Sequence, residues 1–564
     1  MSKLKTLPTA NYDFESLRTG GSCVYVDKTD MIWRLASIED DALFFMSRPR
    51  RFGKSLMLST FKCLFEGKKH LFRDLKIMKK KWDWYKTYPV VALNMSDYDA
   101  VEGVENFDRN ILSDMRERAD AAGIEYQKKD DAPKVFDKLI KGLAEATTKR
   151  DENGKVVEQG KVVILVDEYD HPISGLLDNR RELLVMRRRL RGFYSKLKNN
   201  VGIIRFLMMT GVSKFTKLSV FSGLNNLTDI SMNHPEYATM LGYTKKEIET
   251  TLSAHLDHFA RSARWFDDRG RIRVGKLTRT EALRRLMGWY DSYRFCPGSE
   301  KKVLNPVSVG QAFRSGVLTD YWAKTGMPTL IVERLAACSQ LPRNIEGVSA
   351  YADELDVCDA LELPWKALLY QSGYLTIKGT QKEVMDDGEV RAKLILGMPN
   401  TEVRMNIGSY YWKTVFGRDE QGFDALVDKA KAQLRKGDIR TLIGTTLYTL
   451  YSTIPPEWCI KNEADAKRQF LLFMRMIGAR PQPECPSAFG YADAIIETKD
   501  NVYVFEFKYN KSAKAAIRQI REKGYADEFK GDKRPVTLIG INFRTSKRNI
   551  DEPVFEALST NYTN

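Results

Sequence analysis

The chain has 564 residues, which at about 150 residues per domain corresponds to three or four domains and excludes a single core. With 43% hydrophobic and 29% charged residues it is neither a disordered chain, a fibrous repeat nor a disulfide-stapled miniature. Lys and Arg number 90 against 74 Asp and Glu, and the net charge of +16 favours polyanionic partners, although it is spread over a large surface.

Strands and helices alternate through the N-terminal part. The apolar run ALFFMS ends at Ser47 and is followed by a Gly-Lys-Ser turn and the helical stretch LMLSTFKCLF. YPVVALNMS, VVILVDEYD and IIRFLMMTG read as further strands, and the alternation predicts a parallel α/β sheet. From about Tyr243 to Arg285 the pattern is helical and charged, with no Val/Ile-rich strand. A mixed region carrying WYDSYRF (Trp289–Phe295) and YLTI (Tyr374–Ile377) follows, and Asp424–Tyr451 reads as helices. Strand-like alternation recurs over Tyr491–Thr498 and Asn501–Tyr509 before a basic helix. No run reaches the ~18–20 apolar residues of a membrane span, and MSKLKTLPTANYDF has no apolar signal core, so a cytoplasmic chain with no membrane partner is expected. The seven scattered cysteines form no CxxC pair and indicate neither a disulfide framework nor a zinc knuckle.

RPRRFGKS (Arg48–Ser55), between strand and helix, supplies the Gly-Lys-Ser end of a phosphate-binding loop. Gly53 would let the backbone approach a phosphate, Lys54 would reach the β and γ phosphates, and Ser55 would ligate Mg²⁺, with the helix N-terminus facing the anion. Arg48 stands where the usual pattern has its first Gly, and Arg50 and Arg51 would lie near the phosphates. The strand VVILVDEYD ends in Asp167 and Glu168, the two acids that phosphoryl transfer needs: Asp167 for the Mg²⁺ shell and Glu168 to orient the attacking water. Thr210, at the end of IIRFLMMTG, is the candidate γ-phosphate sensor, with Ser213 and Lys214 as runners-up.

In YADAIIETKDNVYVFEFKYN, Asp493 lies on one strand and Glu506 and Lys508 on the next. Period-two alternation puts Tyr503, Phe505, Phe507 and Tyr509 on one face for a core and Val502, Val504, Glu506 and Lys508 on the other. Asp493 and Glu506 would pair as hard oxygen ligands for Mg²⁺, and Lys508 would position a water or offset charge. An exposed sheet face with a Glu/Lys pair is the competing reading. The following helix is basic and carries Gln519 near the strand ends, an upstream helix carries Glu463, and Glu484 is a further acid between them. Asn501–Ile550 holds 12 Lys or Arg against 5 Asp or Glu, which suits a nucleic-acid surface as well as a solvated face.

YVDKTD at Tyr25, RPRRFGKSL at Arg48, VDEYDHPI at Val166, TGVSKFTKLSVFSGLNNL at Thr210 and WYDSYRF at Trp289 resemble the predicted AAA-ATPase-like family. LLYQSGYLTI at Leu368, LGMPNTEVR at Leu396 and the terminal GYADAIIE…VYVFEFKYN…IRQIREKGYADEF resemble that family's usual C-terminal partner, a PD-(D/E)XK superfamily nuclease domain. The resemblance implies a P-loop ATPase core over 1–240, a helical lid and mixed linking region over 241–455, and a restriction-endonuclease-like α/β domain over 456–564. The residues it carries over are Gly53, Lys54, Ser55, Asp167 and Glu168 for ATP and Mg²⁺ and Asp493, Glu506 and Lys508 for cleavage, and two intact sites on one chain lead to the expectation of an ATP-dependent or ATP-gated nuclease using Mg²⁺ or Mn²⁺. The implied partner is nucleic acid, DNA ahead of RNA, and a homo-oligomer is compatible with an AAA-like site. The alternative is an NTPase switch whose nuclease-like domain binds nucleic acid or protein without cutting. Glu463 matches the acid of the family's upstream helix, but a Tyr-His pair frequent there is replaced by Ala466 and Lys467, which weakens the expectation that this helix serves the site.

Overall fold

The structure, a computed structural model, describes residues 4–9, 12–98, 103–177, 179–214, 227–266, 272–322, 347–356, 364–384, 389–406, 420–452, 460, 462–479, 481–487 and 490–558. The chain divides into two compact units, Met1–Trp265 with Arg273–Val403, and Phe266–Ile272 with Arg404–Asn564. Among the described residues no helix is long and apolar enough to cross a membrane.

The first unit is built on a five-stranded sheet in the order Val90–Asn94, Val162–Asp167, Ile204–Gly211, Leu43–Ser47, Thr228–Asp229, with every neighbouring pair parallel. Val162–Asp167 and Ile204–Gly211 are buried at every position, which explains why they read as unbroken apolar runs: helices cover both faces of a parallel sheet. One face packs under the helices Val104–Ala121, Ala132–Ala146 and Arg180–Asn199, whose Phe107, Leu139 and Phe193 share a core with Ile164, Val166 and Met209. On the other face Phe61 and Phe65 of the helix Lys54–Phe65 lie 4.8 and 5.0 Å, ring to ring, from Phe206. Each such buried side chain contributes about 1.5–3 kcal/mol relative to exposure, so the sheet is a rigid base for the loops at its carboxyl edge.

The charged stretch after Tyr243 forms the helices Lys245–Glu249, Ser253–Ser262 and Arg279–Tyr290, the first opened by a capping box of Thr244 and Glu247. Two three-residue strands, Arg264–Phe266 and Ile272–Val274, interrupt it, and the second, IRV, is the Val/Ile strand that the helical reading did not expect. At three residues each they are too short to show a period. The mixed region contains a three-stranded antiparallel sheet ordered Val348–Ala350, Val390–Gly397, Thr376–Val384.

The second unit carries a mixed sheet. Gln482–Ser487, Gly490–Glu497 and Val502–Tyr509 are antiparallel neighbours, and Val502–Tyr509 then pairs in parallel with Val536–Arg544. The helix Ala513–Glu522 joins that parallel pair. Asn549–Ile550 and Val554–Ala557 close the far edge. Phe470, on the helix Glu463–Met476, stacks against Phe505 and Phe507 at 4.8 and 4.9 Å, whereas Val502 and Val504 face Ile517 and Ile520 in a second core. Both faces of Val502–Tyr509 are therefore covered, and the exposed-face reading of Glu506 and Lys508 is overturned: they are 2% and 7% exposed.

Candidate functional site

In the first unit the parallel register brings the strand ends together, since Ser47 pairs with Gly211 and Asn94 with Asp167. Such a carboxyl edge is where open α/β sheets bind ligands. The chain leaves Leu43–Ser47 through Arg48, whose amide donates to the Gly211 carbonyl at 3.1 Å, and re-enters a helix at Lys54 through Gly53 at φ +98°. That left-handed conformation suits glycine, and a Cβ there would meet nothing within 4 Å, so backbone conformation rather than crowding requires it. Arg51 is also left-handed, at φ +68°.

Lys54 is buried, and its Nζ donates to the carbonyls of Arg48 at 2.8 Å and Pro49 at 3.2 Å, spanning its own loop. Burial pushes its pKa down, and the nearby Asp167, Asp170 and Glu168 oppose that shift. Ser55 follows as the second helical residue. Asp167 Oδ1 accepts the Thr210 hydroxyl at 2.5 Å and the Glu168 amide at 3.0 Å. The structure thus brings Lys54, Asp167, Glu168 and Thr210 together, with Thr210 turned toward the acid. Glu168 sits at φ +48°, a strained conformation for a residue with a Cβ.

The two runners-up are committed elsewhere. Ser213 donates its amide to Asp170 at 2.8 Å and accepts the Tyr169 hydroxyl through its carbonyl at 2.7 Å. Lys214 is held by Asp229 and by Asp356 at 2.8 Å. The remainder of the TGVSKF segment, residues 215–226, lies outside the described residues.

Arg48 turns away from the loop. Its Nη1 donates to the carbonyls of Ser47 and Ser231 at 2.8 and 2.7 Å, and its guanidinium lies 4.6 Å from the Phe295 ring centre. Burial brings its pKa down to about 10. The residue at the usual first-Gly position is therefore a tether beneath the loop, and it explains part of WYDSYRF: Tyr293 and Phe295 also pack edge-on against Phe52 at 4.9 and 5.3 Å.

Three features escaped the sequence reading. Asp170 is a buried carboxylate that accepts the amides of Val212 and Ser213, and burial raises its pKa. Gly211 is needed beside it, because a Cβ there would stand 2.6 Å from Asp170 Oδ1. His171 Nδ1 lies 3.6 Å from Glu168 Oε2. Beside the loop, an apolar cavity is walled by Tyr25, Val26, Leu241 and Tyr243, with Arg51 and Gly53 at its edge. Lys28 of YVDKTD braces that wall by donating to the Thr239 carbonyl at 2.8 Å and pairing with Glu247 at 2.7 Å. These residues lie more than 200 positions apart, so no local pattern announces them.

In the second unit the antiparallel register ends at the pair Ala494 and Phe505, and Asp493 and Glu506 follow directly beyond it on their two strands. There Asp493 Oδ2 takes the Phe507 amide at 2.8 Å. Lys508 Nζ donates to Glu506 Oε1 and to the Phe507 carbonyl, both at 2.8 Å. Glu506 Oε2 is buried without a hydrogen-bond partner, and burial together with the facing Asp493 pushes the Glu506 pKa well up. Two facing carboxylates, one oxygen lacking a donor, fit a divalent cation, which would reverse their mutual repulsion. Among the described residues no group of three His, Cys, Asp or Glu is placed to hold a metal ion.

The upstream helix does reach this site, contrary to the expectation drawn from Ala466 and Lys467. Lys467 Nζ stands 3.0 Å from Asp493 Oδ1, with the two side chains 18% and 17% exposed. Glu463 is one turn earlier on the same helix face, and no hydrogen bond joins it to Asp493 or Glu506 among the described residues. Gln519 donates to the Tyr525 hydroxyl at 3.2 Å rather than to the acids. Glu484 lies on the strand Gln482–Ser487, and its side chain is outside the described set. The signal for Lys467 was its i+4 spacing from Glu463.

A phosphate-loop sheet and a mixed sheet with a buried carboxylate pair define an ATPase-like unit and a nuclease-like one. Residues 8–221 match the family model "Predicted AAA-ATPase" and residues 461–553 match the model "PD-(D/E)XK nuclease superfamily", so the chain carries both domains. An uncharacterized protein encoded in the vnfD 5′ region of Azotobacter chroococcum mcd 1 is 29% identical over 569 residues, covering 98% of this chain and 99% of the relative. No solved structure matches.

Proposed function

We propose that this chain is an ATPase whose nucleotide state controls a Mg²⁺-dependent nuclease. Carrying the reading is the Asp493–Glu506–Lys508 assembly, in which Glu506 and Lys508 are buried and one Glu506 oxygen lacks a donor, in a chain whose other unit sets Lys54 beside Asp167 and Thr210. In the first unit the Gly53 loop and Lys54 hold the ATP phosphates, and Arg51 neutralises them from the edge. Ser55 and Asp167 hold Mg²⁺, Thr210 fixes the Asp167 carboxylate, Glu168 orients water, and the cavity beside Tyr25 and Tyr243 takes the base. In the second unit Asp493 and Glu506 hold Mg²⁺, with Mn²⁺ as a substitute, and Lys508 positions water against the scissile phosphate of nucleic acid. When bound, the cation supplies charge neutralisation and a more acidic water. The test is cleavage of labelled DNA and RNA by the wild type and by Asp493→Ala with Mg²⁺ or Mn²⁺. Metal-dependent cutting lost in the variant is expected, and no cutting by the wild type under any nucleotide would end the reading.

One observation favours a second reading, a nucleotide switch that binds nucleic acid or a partner without cutting: Lys467 already sets a positive charge on Asp493. Glu506→Gln discriminates, because biological activity that survives this change with intact binding supports the switch.

A further inference from the structure

The helix Arg180–Asn199 follows the acid strand and the short helix His171–Ser174. Its inward residues, among them Leu183, Met186, Leu190 and Phe193, are buried in the core of the first unit. Its sequence, RRELLVMRRRLRGFYSKLKN, carries eight basic residues against one acidic. Arg180, Arg181, Arg188, Arg189, Arg191 and Lys198 are exposed. Arg189 is paired with Asp108 at 2.9 Å, so the other five define the surface.

Their spacing is ordered. At about 100° per residue, Arg180, Arg191 and Lys198 return to one side of the helix to within about 20°, and Arg181 and Arg188 form a second row roughly 80–100° around it. Arg180 to Lys198 covers about 27 Å of helix, the length of about eight base-pair steps. Arg188 and Arg191 stand three apart, a spacing at which like charges weaken an isolated helix, and an anionic partner would relieve that repulsion. Four of the five are arginines, whose forked donors match phosphate oxygens. A lipid surface does not fit, because the helix's apolar face is occupied by the protein core and is not free to enter a bilayer.

We infer that this helix face binds the phosphodiester backbone of nucleic acid, so that the ATPase unit itself grips the polyanion. The inference rests on the proposed reading of the chain as a nucleic-acid enzyme, but it concerns a surface separate from both sites.

The test uses the full chain carrying Glu506→Gln, to prevent cutting, and fluorescence anisotropy with labelled duplex DNA, single-stranded DNA and RNA over a salt series. Changing Arg180, Arg181, Arg188, Arg191 and Lys198 together to Gln is expected to weaken binding at least tenfold at about 100 mM salt. The slope of log affinity against log salt should fall by about 3 or more, at roughly 0.9 per lost phosphate contact. Changing the four arginines to Lys keeps the charge but not the forked donors, and should lose less affinity than the Gln variant while leaving the salt slope nearly unchanged. Unchanged affinity and slope in the Gln variant would overturn the inference and give the stripe to an acidic protein. Equal loss in the Lys variant would overturn it too. A parent that cuts in its Glu506 form, yet binds indifferently to the five changes, removes this inference alone. Binding through the stripe with no cutting by the wild type removes only the nuclease reading.

Discussion

Each unit buries a lysine beside acidic residues, and the two are held in opposite ways. Lys54 donates to backbone carbonyls of its own loop, while Asp167 receives the Thr210 hydroxyl and the Glu168 amide, so acid and base are each satisfied by neutral partners. Lys508 instead donates to the acid itself, and Glu506 still keeps a buried oxygen without a donor opposite a second carboxylate. The first arrangement stands without its ligand and must exchange those hydrogen bonds for phosphate contacts. In the second, Lys508 and Lys467 each pair with one of the two acids, yet one Glu506 oxygen still lacks a donor, a place that a cation or a proton would fill. The units should therefore respond to different ligands and fail to different substitutions.

The largest expected effects are catalytic. Lys54→Ala should reduce ATP hydrolysis, followed by phosphate release, by at least about 100-fold, and Glu506→Gln should reduce cleavage by a similar or larger factor, as for the loss of one charge-stabilising group. Neither should carry over in full to the other activity. An ATPase lost with Glu506→Gln would break the comparison.

Glu402 in the first unit departs from that balance. Glu402 of LGMPNTEVR is fully buried, and one of its oxygens takes the Ser308 hydroxyl and the amides of Tyr321 and Trp322 while the other has no partner. Burial raises its pKa from 4.5 to about 7. The folded state then holds a proton that the unfolded state releases, so this stabilisation is complete below about pH 4.5 and is lost as pH rises through about 7, on the order of 3 kcal/mol in all. Denaturant unfolding of wild type and Glu402→Gln from pH 5 to 8 checks this. The wild type should lose stability with rising pH, and the variant should show a flatter profile.

Crossed thermal melting sharpens the comparison further. ATP at about 100 times its dissociation constant should stabilise its unit by about 2.7 kcal/mol, and Mn²⁺ should do the same for the other. The ATP shift should vanish in Lys54→Ala and persist in Glu506→Gln, and the Mn²⁺ shift should reverse that pattern in the nucleotide-free protein. The smallest effect concerns Lys467. Its ammonium competes for Asp493, so Lys467→Met should bind Mn²⁺ several-fold more tightly, by about 1 kcal/mol on the scale of partly exposed ion pairs. Titration calorimetry reads the change directly.

The local grammar of the sequence carried the parallel sheet, the Gly-Lys-Ser loop, the acid pair and the D…ExK strands, because strand burial and helix starts are set by neighbouring residues. What it could not carry is contact across the chain. Arg48 reads only as a departure from the usual loop pattern until Ser231 and Phe295 are placed beneath it. Alternation along Val502–Tyr509 promised one buried face, but the helix Ala513–Glu522 packs on Val502 and Val504 of the other, and Glu506 and Lys508 of that face are buried as well. Lys467 looked like a missing histidine until its helix was docked on Asp493.

The central claim is that nucleotide in one unit controls cutting by the other. It is tested most directly by the cleavage rate of a mixed nucleic-acid panel in Mg²⁺, measured without nucleotide, with ATP and with a nonhydrolysable analogue, for wild type, Lys54→Ala and Asp493→Ala. The account predicts that wild-type cutting changes with nucleotide, that Lys54→Ala loses this dependence, and that Asp493→Ala does not cut. Cutting by wild type and Lys54→Ala at the same rate under all three conditions would contradict it.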